Sequence, residues 1–219
     1  AHICSLQLLE HAPEFPFIAL VVSGGHTNIY HVASENQFEL MGQTRDDAAG
    51  EAFDKVAKMM NLGYPGGPVI ENMARSTSGD AIRFPRPMLD KKNFDFSFSG
   101  IKSAVARHLA EHPPAGEKDK ARIASAFQAA VIDVLSTKLI QAANARSCRR
   151  IGISGGVAAN ATFVSTLTRL AKEAGIKVFS PPPALCGDNA AMIAARGETM
   201  IQQNQLCQPE HDVFSRTRI

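Results

Sequence analysis

The stretch FIALVVSGGHTNIYHV, residues 17–32, decides the fold. Phe17 to Val22 is an unbroken apolar run, which is typical of a strand buried on both faces. Ser23-Gly24-Gly25 then predicts a tight turn in which glycine supplies a positive φ. Thr27 to Val32 predicts the partner strand, and Phe38 to Met41 a third one. This part of the chain therefore predicts a three-stranded meander.

A second Ser-Gly-Gly lies in GISGGVAAN, residues 152–160. Arg150 to Ser154 predicts a strand, Gly155-Gly156 a turn, and Val157 to Ala171 a helix. Free amides at such a helix start, together with the helix dipole, favour a phosphate or a polar nucleoside edge. The amides of the first turn could converge on an anion as a nest does. Neither turn is specific alone, but together, in this order, they indicate nucleotide binding.

The remaining pattern alternates helices with one more strand. Helices are expected at 46–63 (with Gly63 as C-cap), 68–76, 101–109, about 121–145 and 188–203, a solvated linker at 112–120, a strand at 176–179 and an irregular tail at 212–219. A meander followed by helix, strand, helix, strand, helix is the order of an RNase H-like lobe. This is an α/β fold with a mixed sheet flanked by helices. The actin, Hsp70 and sugar-kinase superfamily pairs two such lobes around a nucleotide cleft.

The composition indicates an ordinary globular protein. The 219 residues are 45% hydrophobic and carry a net charge of +2, which excludes a strongly basic nucleic-acid coat. The four cysteines form no C-x-x-C pair, so reduced thiols and a cytoplasmic location are expected. No apolar run is expected to span a membrane.

Six successive blocks carry a resemblance to a known family. They are VSGGHT, DDAAGEAFDKVAKMM, LGYPGGP, FDFSFSGIKSAV, ISGGVAAN and CGDNAAMIA. In order and spacing they resemble the TsaD/Gcp family of tRNA N6-adenosine threonylcarbamoyltransferases, and the resemblance covers nearly the whole chain. It implies that residues 1–16 end an N-terminal lobe, that 17–187 form the second lobe, and that 188–219 return toward the first. The chain is thus expected to be a fragment with little or no activity of its own.

The family's reaction transfers a threonylcarbamoyl group from threonylcarbamoyl-AMP to N6 of the adenosine 3′ of the anticodon, in tRNAs that read ANN codons. The resemblance implies one divalent metal ion, iron, bound by His2 and Asp188. A further histidine ligand would precede Ala1. The implied partners are tRNA, a TsaB-like paralogue and a TsaE-like ATPase. The family's acyl-adenylate contacts fall on the following residues: Val21, Val22, Ser23, Gly24, Gly25, Asp54, Gly67 and Asn160.

Each of these residues also has a structural interpretation. Asp54 could pair with Lys58 across one helical turn, and Asp188 could cap the last helix. Asn160 could face solvent, and His26 could either touch ligand or close its hairpin. FDFSFSG alone predicts an edge strand. The basic run Arg146, Arg149 and Arg150 could be a solvated face or meet tRNA phosphate.

Three other functions compete with the transferase. One is a small-molecule kinase or ATPase of the same superfamily, and another is a non-catalytic scaffold paralogue. The third is a metalloprotease, which the absence of H-E-x-x-H disfavours.

Overall fold

A computed structural model describes residues 1–77, 82–89 and 93–205. The strands are β1 (Phe17–Val22), β2 (Thr27–Ser34), β3 (Gln37–Gln43), β4 (Arg150–Ser154) and β5 (Lys177–Phe179). The α-helices are α1 (Ala49–Met59), α2 (Gly66–Ala74), α3 (Ser99–Glu111), α4 (Glu117–Ala145), α5 (Ala161–Glu173), α6 (Pro183–Cys186) and α7 (Ala190–Gln202). Two 3₁₀ helices span His2–Leu8 and Gly156–Ala159.

The five strands form one mixed sheet in the order β3-β2-β1-β4-β5. The first three pair antiparallel, whereas β1–β4 and β4–β5 are parallel. This confirms the predicted RNase H-like arrangement of a mixed sheet flanked by helices. In the parallel pair Val21 lies opposite Ser154, so both Ser-Gly-Gly turns leave the same end of the sheet.

The core lies between the central strands and α4. All six residues of β1 are buried, and Phe53 of α1 packs edge-on against Phe127 of α4 with ring centroids 5.1 Å apart. By length and hydropathy alone α4 could cross a membrane, which inspection of the sequence had not predicted. However, 72% of that apolar window is buried inside the fold, as expected of a core helix.

Several helix ends differ from the prediction. Helix α1 ends at Met59, and Asn61, with φ of 53°, takes the left-handed position that had been assigned to Gly63. Helix α4 begins at Glu117 inside the predicted linker. There Glu117 and Asp119 place negative charge in the first turn, and Asp119 Oδ2 accepts from Ala115 N at 3.1 Å.

The two ends of the described chain pack together. Leu6 of the first 3₁₀ helix is fully buried against Gly152 of β4, and the same helix contacts α7. Asn189, not Asp188, is the N-cap of α7, because its Oδ1 accepts from Met192 N at 2.9 Å. The capping role considered for Asp188 is therefore wrong. The predicted tail at 212–219 lies outside the described residues.

Candidate functional site

The first Ser-Gly-Gly forms an open corner, Ser23–His26, between β1 and β2. Ser23 N donates to His26 O at 2.8 Å, and Ser23 Oγ accepts from His26 N at 3.1 Å and from Gly25 N at 3.4 Å. Neither Gly24 nor Gly25 has a positive φ, so that prediction is wrong. The serine hydroxyl closes the turn instead, and an anion at this corner would compete with it for two amides.

Helix α1 begins directly against this first corner. Gly50 N donates to Ser23 O at 3.2 Å, and a Cβ at Gly50 would lie 2.6 Å from that oxygen and 2.8 Å from Gly24 N. Ala49 N donates to the buried Thr27 Oγ1 at 2.9 Å. Only glycine at position 50 permits this approach, which fixes the corner relative to α1.

The second corner, Ser154–Gly156, is packed rather than open. Ser154 and Gly155 are buried, and Gly155, in the predicted strand-to-helix turn, has φ of 97°. A Cβ at Gly155 would overlap Val22 O, whereas nothing lies within 4 Å of a Cβ at Gly156. The chain then makes a 3₁₀ turn and enters α5 only at Ala161.

Asn160 is the N-cap of α5 and is only 7% exposed, so the solvent-facing interpretation is wrong. Its Oδ1 accepts from Phe163 N at 2.9 Å, and its Nδ2 donates to Gln128 Oε1 at 2.8 Å. Glu71 Oε1 accepts from Ala161 N at 2.9 Å. Two amides of the first turn of α5 are thus occupied, so the expectation of a freely available helix start is wrong for them.

Asp54 does not form the surface pair with Lys58 that its spacing allowed. Its Oδ1 instead accepts from Gly66 N at 2.7 Å and joins α1 to the start of α2. A Cβ at Gly66 would lie 2.5 Å from Phe53 O, so the two helices meet backbone to backbone. Within the described part of the chain, Asp54 Oδ2 has no hydrogen-bond partner and can accept from a ligand.

These elements enclose a space of about 520 Å³, which we call the inter-corner cleft. It receives one glycine from each corner, Gly24 and Gly156. Four of the predicted adenylate residues line it together: Gly24, Asp54, Gly67 and Asn160. Its other walls are Gly50, Phe53, Tyr64, Pro65, Pro68, Glu71, Val157 and Ala159. A Cβ at Gly24, Gly67 or Gly156 would meet no atom within 4 Å.

The other predicted adenylate residues do not line this cleft. Val22 is buried in β1, and Ser23 and Gly25 belong to the corner itself. Val21 lines a second space of about 540 Å³ together with His2, His26 and Arg196, which we call the His2 cavity. Gly24 lines the cleft and His26 lines the cavity, so the first corner lies between the two spaces.

Comparison with known proteins decides the family. Residues 1–195 match the family model described as TsaD, tRNA N6-adenosine threonylcarbamoyltransferase. The chain belongs to the TsaD family. The tRNA N6-adenosine threonylcarbamoyltransferase of Desulforapulum autotrophicum is 57% identical over 217 residues, which are 99% of this chain and 65% of the relative. That of Syntrophus aciditrophicus is 48% identical, over 93% of this chain and 60% of the relative.

The chain thus spans about 60–65% of the length of these two TsaD relatives. Among solved structures, full-length HypF in its phosphate- and nucleotide-bound form superimposes with a TM-score of 0.74 at 12% identity. The superimposed region covers 92% of this chain and 42% of HypF. HypF of T. kodakarensis gives a TM-score of 0.65 at 14% identity, over 90% of this chain and 36% of HypF. At these identities the likeness concerns the fold alone.

The two metal ligands that the resemblance implies lie close together, and one of them, His2, lines the His2 cavity. His2 Nε2 lies 3.2 Å from Asp188 Oδ1, within the roughly 3.0–3.4 Å that separates two N/O ligands on one ion at ordinary bond lengths. Burial lowers the pKa of His2, although Asp188 opposes the shift, and so favours the neutral imidazole that binds metal. Among the described residues no three His, Cys, Asp or Glu side chains cluster. The pair fits an ion only if further donors complete the site.

Sequence inspection missed Glu71. Its side chain lines the cleft, is 12% exposed, and also pairs with Arg75 at 2.9 Å. The signal was available, because Glu71 follows Gly67 by four residues and therefore shares its face of α2.

Sequence inspection also missed Asp46, which holds the start of α3. Its carboxylate accepts from the hydroxyls of Ser97 and Ser99 at 2.5 and 2.6 Å, and from Phe98 N and Ser99 N at 2.8 and 3.2 Å. The predicted edge strand at FDFSFSG is therefore only a single bridge, between Phe96 and Thr44. No local sequence pattern could have predicted these contacts, because Asp46 and its partners lie about 50 residues apart in the chain.

All three arginines of the basic run contact other parts of this chain. Arg146 contacts Glu39, Arg150 contacts Glu14, and Arg149 Nη1 donates to Ala174 O at 3.1 Å. These contacts favour a structural role for the three arginines over tRNA binding.

Proposed function

We propose that this chain forms the donor-binding half of a threonylcarbamoyltransferase that acts on N6 of adenosine in tRNA. The observation that carries the proposal is the inter-corner cleft, which assembles Gly24, Asp54, Gly67 and Asn160 from four separate segments. Membership of the TsaD family supplies the reaction. Cytoplasmic location and the tRNA, TsaB-like and TsaE-like partners belong to the same proposal.

The cleft suits the adenosine part of threonylcarbamoyl-AMP. Asp54 Oδ2 has free acceptor capacity and is held in place through Oδ1, so it can accept from a ribose hydroxyl. Glu71 adds a second carboxylate to the same wall. The bare glycine backbones let a base or sugar approach closely, and Phe53, Val157 and Pro68 supply apolar walls.

The phosphate would then cross the first corner, and the carbamoyl group would lie in the His2 cavity. In the transfer, the N6 amine forms a bond to the carbamoyl carbon, the carbon–oxygen bond to phosphate breaks, AMP leaves with the electron pair, and one N6 proton passes to water. This chain's contribution is to hold the donor across the corner, which orients the carbonyl and keeps the leaving phosphate near backbone amides.

We further propose that His2 and Asp188 hold one divalent metal ion, with iron as the expected metal. A bound ion would polarise the carbamoyl and phosphate oxygens. His2→Ala should abolish stoichiometric metal in a purified full-length TsaD protein that contains these 219 residues, which we call the full chain, as measured by elemental analysis. The exposed control His112→Ala should leave the metal content unchanged.

The proposed function is tested by transfer itself. The full chain, its TsaB-like and TsaE-like partners, threonylcarbamoyl-AMP and unmodified tRNA are combined, and threonylcarbamoyladenosine is measured by nucleoside mass spectrometry. Asp54→Ala should lower the rate about 100-fold or more. The control Glu173→Ala, which removes only an exposed i,i+4 pair on α5, should change it less than twofold.

Two results would contradict the proposal. The first is transfer that is insensitive to Asp54→Ala. The second is phosphoryl transfer from ATP to a small molecule without tRNA, as a kinase of this superfamily would show.

Because the described residues would supply two metal donors, we also expect the 219 residues alone to transfer far more slowly than a full-length relative.

A further inference from the structure

Tyr64 is the most exposed large hydrophobic side chain in the described part of the molecule, at 82%. It stands at the rim of the inter-corner cleft. It also lines an adjoining groove of about 380 Å³, which we call the α1 groove. That groove is lined by Asp54, Lys55, Lys58, Asn61, Gly63 and Tyr64. Cleft and groove therefore share Asp54 and Tyr64 and form one continuous path.

The backbone that carries Tyr64 is held on both sides. Before it, Asn61 and Gly63 take left-handed φ values of 53° and 93°. After it, Gly66 N donates to Asp54 Oδ1 at 2.7 Å, and Gly66 packs against the backbone of α1. The ring is thus presented to solvent from a fixed point, and a planar ligand could bind it without ordering the loop first.

The α1 groove also offers an unpaired cation. Lys55 contacts Asp47 and Glu51, both at 2.7 Å. Lys58 is exposed and makes no ion pair with any described residue. An exposed aromatic ring beside a free lysine is the combination with which proteins hold single-stranded nucleic acid, through base stacking and phosphate contact.

We infer that Tyr64 and Lys58 bind the single-stranded part of the acceptor RNA beside the inter-corner cleft. A base stacks on Tyr64, a neighbouring phosphate contacts Lys58, and the strand follows the α1 groove toward the donor. This inference rests on the proposed function and extends it from the donor to the acceptor. A protein partner fits less well, because protein hot spots cluster several apolar anchors and the groove holds a single aromatic ring.

The chain's own fluorescence reports the contact. It contains two tyrosines and no tryptophan. Tyr30, the other tyrosine, is half-buried and accepts from Asn28 Nδ2 at 3.1 Å. A single-stranded RNA of about ten nucleotides, added to the full chain, should quench the share of tyrosine emission that Tyr64→Phe removes. Inorganic polyphosphate should cause no quenching, since it carries charge but no base.

Variants separate stacking from charge, with binding of dye-labelled RNA as the readout. Tyr64→Ala should weaken binding about 5- to 150-fold, whereas Tyr64→Phe should retain it. Lys58→Gln should reduce the slope of log affinity against log salt by about 0.7, the value for one phosphate contact to a single strand. The control Lys172→Gln, an exposed lysine near the end of α5, should leave affinity and slope unchanged.

Quenching measured at saturating AMP distinguishes an RNA site at Tyr64 from the donor site in the cleft. The inference requires that RNA still quenches Tyr64 when AMP is present and that AMP alone does not. Quenching by AMP, loss of RNA quenching in AMP, or equal RNA affinity of Tyr64→Ala and wild type would each overturn it. These measurements need no threonylcarbamoyl transfer. The RNA-binding inference can therefore fail while the transfer assay succeeds, and the transfer assay can fail while RNA binding is observed.

Discussion

The two Ser-Gly-Gly corners share a tripeptide and leave neighbouring parallel strands at the same end of the sheet, but their serines and glycines have opposite roles. In the first corner Ser23 closes the turn with its hydroxyl, and its glycines are exposed. In the second, Ser154 is buried in the sheet and Gly155 packs on β1 with a positive φ. Identical sequence thus yields one corner that exposes its backbone and one that packs Gly155 against β1.

The difference shows which glycines fold the protein and which leave room for a ligand. Gly155 and Gly50 touch backbone of the first corner or of the strand before it, so they are structural. Gly24 and Gly156 have open space beside them and line the cleft. The following predictions test this division, in order of decreasing effect.

Gly155→Ala should have the largest effect. The methyl group would overlap Val22 O, and φ of 97° disfavours any Cβ, so the free energy of unfolding should fall by about 3–5 kcal/mol. Urea unfolding of the full chain measures the loss. Gly156→Ala is the matched control and should change stability by less than about 1 kcal/mol. Equal effects at positions 155 and 156 would remove the distinction between packed and open glycines.

Gly50→Ala should cause the second-largest loss of stability, because its methyl group would displace the first corner. Its methyl would lie 2.6 Å from Ser23 O, so we expect a net loss of about 1–3 kcal/mol after the helix-propensity gain of alanine. Gly197→Ala in α7 has no atom within 4 Å and should stabilise by about 0.5–1 kcal/mol. If both variants stabilised the protein, α1 would not be the support of the corner.

Asp46→Ala tests the attachment of α3 to the segment that precedes α1. Burial alone would raise the pKa of Asp46, but hydrogen bonds from Ser97, Ser99 and Phe98 outweigh it and hold the pKa below its ordinary value. A depressed pKa means that this stabilisation is complete above the unfolded value, near pH 4, and is lost as the pH falls through the folded value. The variant should lose about 2 kcal/mol at pH 7.

Stability of Asp46→Ala and wild type should be compared by chemical unfolding at pH 7 and pH 3. The difference should shrink at pH 3, because the unfolded carboxyl is then largely protonated and its ionisation on folding offsets part of the stabilisation. A difference that is constant, or larger at pH 3, would show that the charge of Asp46 does not hold α3.

Ser23→Ala removes the acceptor that closes the open corner. Gly25 N and His26 N would lose their partner, so a loss of about 1 kcal/mol is expected in thermal unfolding. Ser165→Ala removes only a hydroxyl that donates to Thr162 O on the exposed face of α5 and should cost less than about 0.5 kcal/mol. If Ser23→Ala cost no more than Ser165→Ala, the hydroxyl would not be what closes the turn.

Gly24→Ala and Gly25→Ala should have the smallest effect on stability, within about 0.5 kcal/mol, because neither has a positive φ and neither new methyl meets an atom within 4 Å. They should differ in ligand affinity. Only Gly24 lines the cleft, so Gly24→Ala should weaken AMP binding about tenfold in calorimetry, and Gly25→Ala, which lies beside the phosphate alone, should weaken it less. Equal AMP affinity of the two variants would place AMP outside the cleft.

The sequence predicted the strands better than the corners. The bounds of β1 and β4 agree with the prediction because each is an apolar run that a Ser-Gly-Gly ends. The tripeptide alone could not predict the conformation of either corner. Gly155, beside β1, has a positive φ, whereas Gly24, the equivalent residue of the first corner, does not, because Ser23 Oγ closes that turn. That difference depends on neighbours in space.

Long-range partners escaped sequence inspection for the same reason. The spacing of Asp54 and Lys58 favoured a surface pair, but Asp54 contacts Gly66 instead. Asn160 donates to Gln128, 32 residues before it, and Asp46 binds serines some 50 residues after it. Four residues of the cleft, Gly24, Asp54, Gly67 and Asn160, could be named from the family resemblance, but the bonds that hold them depend on how α1, α2 and α4 pack.

A crystal structure of the full chain with bound AMP would show directly whether the inter-corner cleft holds the donor. We expect AMP to lie between the two corners, with a ribose hydroxyl within hydrogen-bond distance of Asp54 and its phosphate at Ser23–Gly25. AMP bound in the His2 cavity, or elsewhere with the inter-corner cleft empty, would contradict it.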